Sequence, residues 1–321
     1  MSQSLPLLHH FRTLKDPRID RRKLHSLEAI LVIALCATIA GAEDFQQIAL
    51  FGQKRRAWLE RFVALPNGIP SHDTFERLFA RLDPVAFQRC FTGWMQAWHV
   101  KLTGKHLAID GKAVKGSADP GSGLRCLHLV NAWAVEANLC LGLVACAKDS
   151  NEITAVPKLL AMLDLKGALV SIDAEGCQKK IAQQIIDQGG DYLLVVKQNQ
   201  GKLYEQIEAF FKEELDNGFT GPTTSSYEKT EEGHGRRESR FYVVARPPEA
   251  VSAHEGWPAL NVVGMCYSER TVGEGKTGYE IRYFIGSKKA KARYYGKGLR
   301  GHWRVEINQP EDPSSAGLCA A

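Results

Sequence analysis

The sequence predicts an α/β protein with a helical N-terminal domain and a β-rich insertion ahead of one last helix. Three observations predict it. Up to about residue 100 the apolar residues recur with helical spacing. From residue 105 short apolar runs, each closed by Gly or Asp, are separated by longer amphipathic stretches. Between residues 216 and 287 Gly, Thr, Ser and Pro become frequent, and apolar and polar residues alternate.

Composition sets the outer limits. The 321 residues suggest two or three structural units, and 44% hydrophobic with 24% charged residues is ordinary for a water-soluble globular chain. The net charge of +5 permits an acidic partner without demanding one. Most of that excess falls in the first hundred residues, with thirteen Lys and Arg against nine Asp and Glu. Eight Cys are scattered with no C-x-x-C pair, which argues against a zinc site and a disulfide framework and for a reducing, cytoplasmic setting. The uncharged run Ala29 to Ala42 follows Arg21, Arg22 and Lys23, so it does not read as a signal peptide. It is also shorter than the ~20 residues that span a bilayer, and a buried helix with no membrane partner is expected.

In residues 1–100, Leu24 to Ala42 predicts a helix apolar nearly all round, hence central to its domain. Asp44 to Phe62 predicts a second, amphipathic helix carrying Lys54, Arg55, Arg56 and Arg61. Asp73 and Glu76 stand at capping-box spacing at the start of a third. Asp83-Pro84 breaks it, and a fourth runs through Trp94 and Trp98. Such a set suits helix-turn-helix DNA binding and equally any small helical bundle.

In residues 101–215, a strand at His106 to Asp110 is followed by a hairpin, Leu127 to Ala134 and Leu139 to Ala147. Then come a helix from Asn151 to Leu163, a strand from Ala168 to Ile172, and a helix from Cys177 to Gln188. A strand from Asp191 to Val196 and a helix from Gly201 to Leu215 complete the series. The order suits an RNase H-like core. Residues 216–287 predict antiparallel strands at Arg240 to Val244, Leu260 to Cys266 and Tyr279 to Ile285. Residues 288–308 are a basic segment and a short helix, Leu299 to Asn308, and residues 309–321 have the composition of a disordered tail.

Two of the strands end alike. Leu107-Ala-Ile109 delivers Asp110 followed by Gly111, and Leu169-Val-Ser-Ile172 delivers Asp173. Either Asp alone is as readily a strand terminator or turn former. Together, on adjacent strands, they form the carboxylate pair that holds divalent metal for phosphodiester chemistry.

Nine motifs in order carry a resemblance. They are Asp16-Pro17-Arg18 with His25-Ser-Leu; Pro70-Ser-His-Asp-Thr-Phe75; Ile109-Asp-Gly-Lys112; Lys148-x-x-Asn151-Glu152-Ile153; and Ile172-Asp173-Ala-x-Gly-Cys177-Gln178. Asp191-Tyr192, Lys197-x-Asn199-Gln200, Gly233-His-Gly-Arg236-x-Glu238 and Gly301-His-Trp303-x-x-Glu306 follow. With them the chain resembles bacterial insertion-sequence transposases of the H-repeat-associated group, in the DDE superfamily. The resemblance implies a site in which Asp110, Asp173 and Glu306 are the catalytic carboxylates and hold two Mg2+ or Mn2+ ions. Glu238 is the rival for the third carboxylate, although Arg236, Arg237 and Arg240 beside it offer it simple ion pairs. Lys112, Lys115, Lys197, His234 and Arg236 are candidate DNA contacts, each also readable as an ordinary surface residue. Glu152 reads as a helix N-terminal acid favoured by the dipole, and Trp303 as core packing. The implied partner is double-stranded DNA in the nucleoid, both the element's terminal repeats and the target, gripped by a homodimer on paired ends.

One departure stands out. Members of the group continue past the Glu with Asn and Leu-His-Trp, whereas Gln309-Pro310-Glu-Asp-Pro follows here like an out-of-frame tail. The expectation is a C-terminally truncated enzyme, impaired because its last helix is about three turns long and anchored by Trp303 and Val305 alone. The alternative is a non-catalytic remnant that binds DNA or regulates an intact copy.

Overall fold

The computed structural model of the chain describes residues 6–308 apart from 21–22, 98–103, 115–125, 147–150, 222, 234–235, 253–255 and 273–275. It divides into two compact units, Met1–His99 and Val100–Ala321.

The first unit contains α1 (Pro6–Phe11), α2 (Leu27–Ile39), α3 (Phe45–Lys54), α4 (Arg56–Leu59), α5 (His72–Phe79) and α6 (Pro84–Ala97). Helix α2 starts where Ser26 Oγ accepts the Ala29 N–H at 3.1 Å, and Ala29 to Ala34 are buried without interruption, as an all-round apolar helix requires. The single helix expected from Asp44 to Phe62 is two, because Arg55 leaves helical geometry at φ −113° and ψ 16°. Helix α5 takes Ser71, not Asp73, as its N-cap, and Asp73 lies within the first turn. Asp83 caps α6, accepting the N–H groups of Val85 and Ala86, and Pro84 takes the first position, where its missing N–H costs nothing. Arg18 grips Asp16 and the carbonyl of His25, which ties the Asp-Pro-Arg turn to the approach to α2.

The second unit runs β1 (His106–Val114), β2 (Leu127–Ala134), β3 (Leu139–Ala145), α7 (Glu152–Leu160), β4 (Leu169–Ile172), α8 (Lys179–Asp187) and β5 (Asp191–Val196). It continues with α9 (Gly201–Asp216), β6 (Ser225–Gly233), β7 (Arg236–Ala245), α10 (Glu249–Ser252), β8 (Val262–Val272), β9 (Lys276–Gly286) and α11 (Ala292–Asn308). All nine strands form one sheet, in the order β3-β2-β1-β4-β5-β9-β8-β7-β6. Strands β1, β4 and β5 are parallel, and β2 and β3 run antiparallel beside β1. This is the RNase H-like arrangement that the element order suggested. The β-rich segment extends the same sheet, since β9 pairs antiparallel with β5. It holds four strands where three were expected. The additional one, β6, is an edge strand of mostly exposed residues, so its Ser225-Ser-Tyr-Glu-Lys-Thr-Glu-Glu-Gly sequence lacks the apolar alternation of a half-buried strand.

Each face of the sheet has its own core. Leu107, Ile109, Val170, Ile172 and Leu194 pack with Leu159 of α7, Ile185 of α8 and Ile207 of α9. Leu169, Leu193, Val195 and Phe284 pack with Ala292, Tyr295 and Leu299 of α11. Helix α11 is therefore longer than expected: 17 residues from Ala292, not a helix confined to Leu299 to Asn308. Gly286 leaves room for the Tyr295 ring, and Tyr295 Oη donates to the Lys288 carbonyl at 2.6 Å. Glycines hid this segment from the sequence reading, yet Gly296, Gly298 and Gly301 are what allow a helix to lie this close to the strands. Trp303 is half-buried at the edge of this core, its ring 4.3 Å below the Arg282 guanidinium. The expected tail, residues 309–321, lies outside the described residues.

Candidate active site

Asp110 and Asp173 meet through strand register. The parallel β1–β4 ladder pairs His106 with Leu169 and ends at Ile109 with Ile172, so the next residue of each chain is an Asp. Asp110 sits within β1, opposite Asn131 of β2. Asp173 opens the turn after β4, where its Oδ1 accepts the Gly176 N–H at 3.4 Å. The same turn is braced from the segment after β5. Asn199 Nδ2 donates to the Ala174 carbonyl at 2.6 Å, and Gln200 Nε2 to the Cys177 carbonyl at 2.8 Å. Two members of the Lys197-Gln-Asn-Gln motif thus hold the loop that presents Asp173.

Glu152, at the start of α7, belongs to the same group of acids. Its carboxyl occupies the space over Gly111 that any side chain there would fill. Burial, and then the negative charges of Asp173, Glu175 and Asp110, push its pKa up to about 7. Glu152 is the expected helix N-terminal acid, in the first turn of α7, and its neighbours are in addition carboxylates. The signal was available in the Asn151-Glu152-Ile153 motif and in the glycine after Asp110, but no sequence rule joins two such distant positions.

Behind the acids lies a buried polar row. Ser171 Oγ of β4 stands 2.6 Å from His106 Nε2 of β1 and 3.0 Å from His302 Nδ1 of α11. Burial holds both imidazoles neutral, His106 at about 3 and His302 at about 4, with Asp173 pulling His302 the other way. Helix α11 crosses this region with a measurable pitch. A Cβ on Gly298 would stand 3.0 Å from Leu169, and four residues later His302 meets Ser171. Glu306 follows one turn on, within α11, its side chain outside the described residues.

The remaining expected site residues are dispersed. Lys112 is half-buried in β1, and Lys197 is exposed at the end of β5. Lys197 lines a groove of about 530 Å3 together with Asp173, Glu175, Asn199, Tyr204 and Arg282. Arg236 is exposed at the start of β7. Lys115 and His234 lie outside the described residues. Glu238, the rival third carboxylate, pairs with the buried guanidinium of Arg240, which also holds Glu231 at 2.8 Å. Arg300 meets Glu231 at 2.9 Å, and the hydrogen bond from Lys229, followed by Arg300 and Arg240, lowers the Glu231 pKa to about 2.

Among the described residues no three His, Cys, Asp or Glu stand close enough together to enclose a metal ion. The donor set nevertheless suits a hard divalent cation. Beyond burial, the charges of Asp173 and Asp110 raise the proton affinity of Glu152, and Mg2+ or Mn2+ would offset that repulsion. Among the same residues no helix is long and apolar enough to cross a membrane.

Known proteins resemble this chain along most of its length. Residues 101–308 match the family described as transposase DDE domain, and residues 8–95 match the family described as DDE_Tnp_1-associated. The chain is 40% identical over 303 residues to "Putative transposase YncI" of Escherichia coli O157:H7, covering 94% of this chain and 77% of that protein. It is 37% identical over 305 residues to "H repeat-associated putative transposase YhhI" of Escherichia coli K12, covering 94% and 80%. A protein of Xanthobacter autotrophicus named "Uncharacterized protein in dhlA 3'region" is 41% identical over 284 residues, covering 87% and 94%.

Proposed function

The chain belongs to the DDE transposases of the bacterial H-repeat-associated group, and from that premise we propose that Asp110, Asp173 and Glu306 form its catalytic carboxylate set. The observation that carries this reading is the climb of α11. Four helix residues, Gly298 to His302, advance the contact from Leu169 to Ser171. Four more at the same pitch would bring residue 306 to the level of residue 173, hence of residue 110 beside it. Glu238 gains no comparable support, because Arg240 occupies it.

Two Mg2+ or Mn2+ ions, when bound, would activate a water or 3′-hydroxyl and stabilise the leaving oxygen of the cut DNA strand. The chain's own residues would do the rest. Asp110 and Asp173 present oxygens from a rigid parallel strand pair, and the Asn199 and Gln200 side chains fix the Asp173 turn. Glu152, with a pKa near neutrality, would add a carboxyl that can hold or release a proton beside them. Lys112, Lys115, Lys197, His234 and Arg236 would grip phosphates along the strand. The substrate is double-stranded DNA in the nucleoid, at the element's terminal repeats and the target, worked on by a homodimer that pairs two ends.

The test is cleavage of a supercoiled plasmid carrying the DNA that flanks the gene, with Mg2+ or Mn2+. Asp110→Asn, Asp173→Asn and Glu306→Gln should each abolish nicking while DNA retention is unchanged. Nicking that survives Glu306→Gln and is lost in Glu238→Gln would replace one acid with the other.

A further inference from the structure

His106, Ser171 and His302 are 6%, 2% and 2% exposed, and each belongs to an element that carries one of the three acids or leads directly into it. His106 precedes Asp110 by four residues on β1, and Ser171 precedes Asp173 by two at β4. His302 precedes Glu306 by four on α11. All three offsets are same-face spacings: even steps along a strand and one turn along a helix. The polar row therefore shares the faces that carry the acids, one step deeper at β4 and α11 and two pleats deeper at β1.

The chemistry of the row is unusual for its depth. Apolar side chains would fill this space without the cost of burying polar groups. Instead a single hydroxyl joins two imidazoles, at 2.6 and 3.0 Å. Gly301 allows the approach, since a Cβ there would stand 2.7 Å from His106 Nδ1. Nε2 of His302 has no hydrogen-bond partner among the described residues, so the ring is held through Ser171 alone. Hydrophobic contact does not fix the rotation or height of a helix against a sheet, whereas hydrogen bonds have direction. Along β4 and α11 the steps also agree: two strand residues advance ~6.7 Å and four helix residues ~6 Å.

We infer that the His106–Ser171–His302 row is a positioning device, pinning α11 at the rotation and height that bring Glu306 level with Asp110 and Asp173. The inference rests on Glu306 being the third carboxylate, and its residues act through the acids without touching substrate.

The test uses Ser171→Ala in the full chain, which removes the shared hydroxyl and adds no bulk. Mn2+ binding is measured by calorimetry, and amide hydrogen exchange is followed along α11. Ser171→Ala should weaken Mn2+ binding about tenfold, as loss of a group that orients a ligand commonly does. In a Glu306→Gln background it should weaken binding no further, because the two changes act through one side chain. Exchange in α11 should quicken while β5 and β9 keep their protection. Equal weakening in both backgrounds, or unchanged exchange in α11, would overturn the device. Absence of any Mn2+ binding by the unmutated chain would instead overturn the three-acid reading, and the exchange measurement would still decide whether the row holds the helix.

Discussion

The carboxyl of Glu152 rests against the bare Cα of Gly111, one residue past Asp110. This places an acid from the start of α7 beside two acids from the sheet. Its folded pKa, about 7, lies above the ordinary 4.5 because of burial and the charges of Asp173, Glu175 and Asp110. Between those two values the folded chain holds a proton that the unfolded chain has released. Stability is therefore lost as pH rises through that window, and the loss is complete above about 7. A divalent ion would relieve it. Mg2+ should raise the melting temperature more at pH 8 than at pH 5.5, read by thermal unfolding at both. In Gly111→Ala the new methyl would displace the Glu152 carboxyl, and the pH difference should shrink. An identical Mg2+ shift at both pH values in the unmutated chain would count against a role for Glu152 at the metal.

The two buried imidazoles predict acid lability. His106 and His302 titrate at about 3 and about 4 in the folded chain, against an ordinary 6.5. Below pH 6.5 the unfolded chain binds protons that the folded chain does not, so stability falls progressively from about pH 6.5 toward pH 4. The lowered pKa of Glu231 works in the same direction lower down, its contribution fading from about 4.5 toward about 2. Urea unfolding should show a lower midpoint at pH 5 than at pH 7. Replacing His302 with Gln should flatten that dependence, and an unchanged pH slope in that variant would mean the histidine is not its source.

Much of this organisation was legible in residue order. The two Ile-Asp strand endings anticipated that β1 and β4 are neighbouring parallel strands delivering Asp110 and Asp173, a reading that rests on the pair and not on either Asp alone. The all-apolar α2 was equally plain. What escaped depends on proximity across the fold. Glu152 joined the acids only once α7 was laid over Gly111. The length of α11 was hidden by Gly296, Gly298 and Gly301, which weaken a helix in isolation and here let it approach the sheet. Strand β6 was missed because an edge strand with little buried surface keeps no apolar period. The amides of Asn199 and Gln200 brace the Asp173 turn, a role that depends on two loops meeting across the sheet edge and that their motif does not announce.

Arg240 predicts a stability effect separable from catalysis. Its side chain is 5% exposed and lies between Glu231 and Glu238. Arg240→Ala would leave the Glu238 carboxylate without its cation and Glu231 with Lys229 and Arg300 alone, and truncating one member of a buried pair typically costs ~3–5 kcal/mol. Glu238→Gln removes one charge from a group in which Glu231 still satisfies Arg240, and should cost about 1 kcal/mol or less, with nicking retained. Urea unfolding of both variants checks the order. A Glu238→Gln loss as large as that of Arg240→Ala would mean the ion pairs share the work differently.

The basic residues divide into those already neutralised and those turned outward, and DNA binding should follow that division. Lys288 pairs with Asp191 at 3.2 Å and Arg300 with Glu231 at 2.9 Å, so half-buried cations in the segment before and within α11 serve the fold. Arg56 likewise holds Glu60 at 2.8 Å. Lys54, Arg55 and Arg61 are exposed in the first unit, and Lys289, Lys291, Arg293 and Lys297 are exposed in the second. Each phosphate neutralised by such a side chain releases counterion and contributes ~0.9 to the slope of log affinity against log salt. Changing Lys54, Arg55 and Arg61 together to Gln should therefore reduce the slope by up to ~2.7, with helix content unchanged. The same change at Lys289, Arg293 and Lys297 should reduce it comparably. Lys288→Gln should leave the slope nearly as it was and lower the melting temperature instead. Fluorescence anisotropy with a duplex of the element's end, titrated at four or more salt concentrations, gives the slopes. Equal slopes in the first triple variant and the unmutated chain would remove the helical unit from the DNA interface.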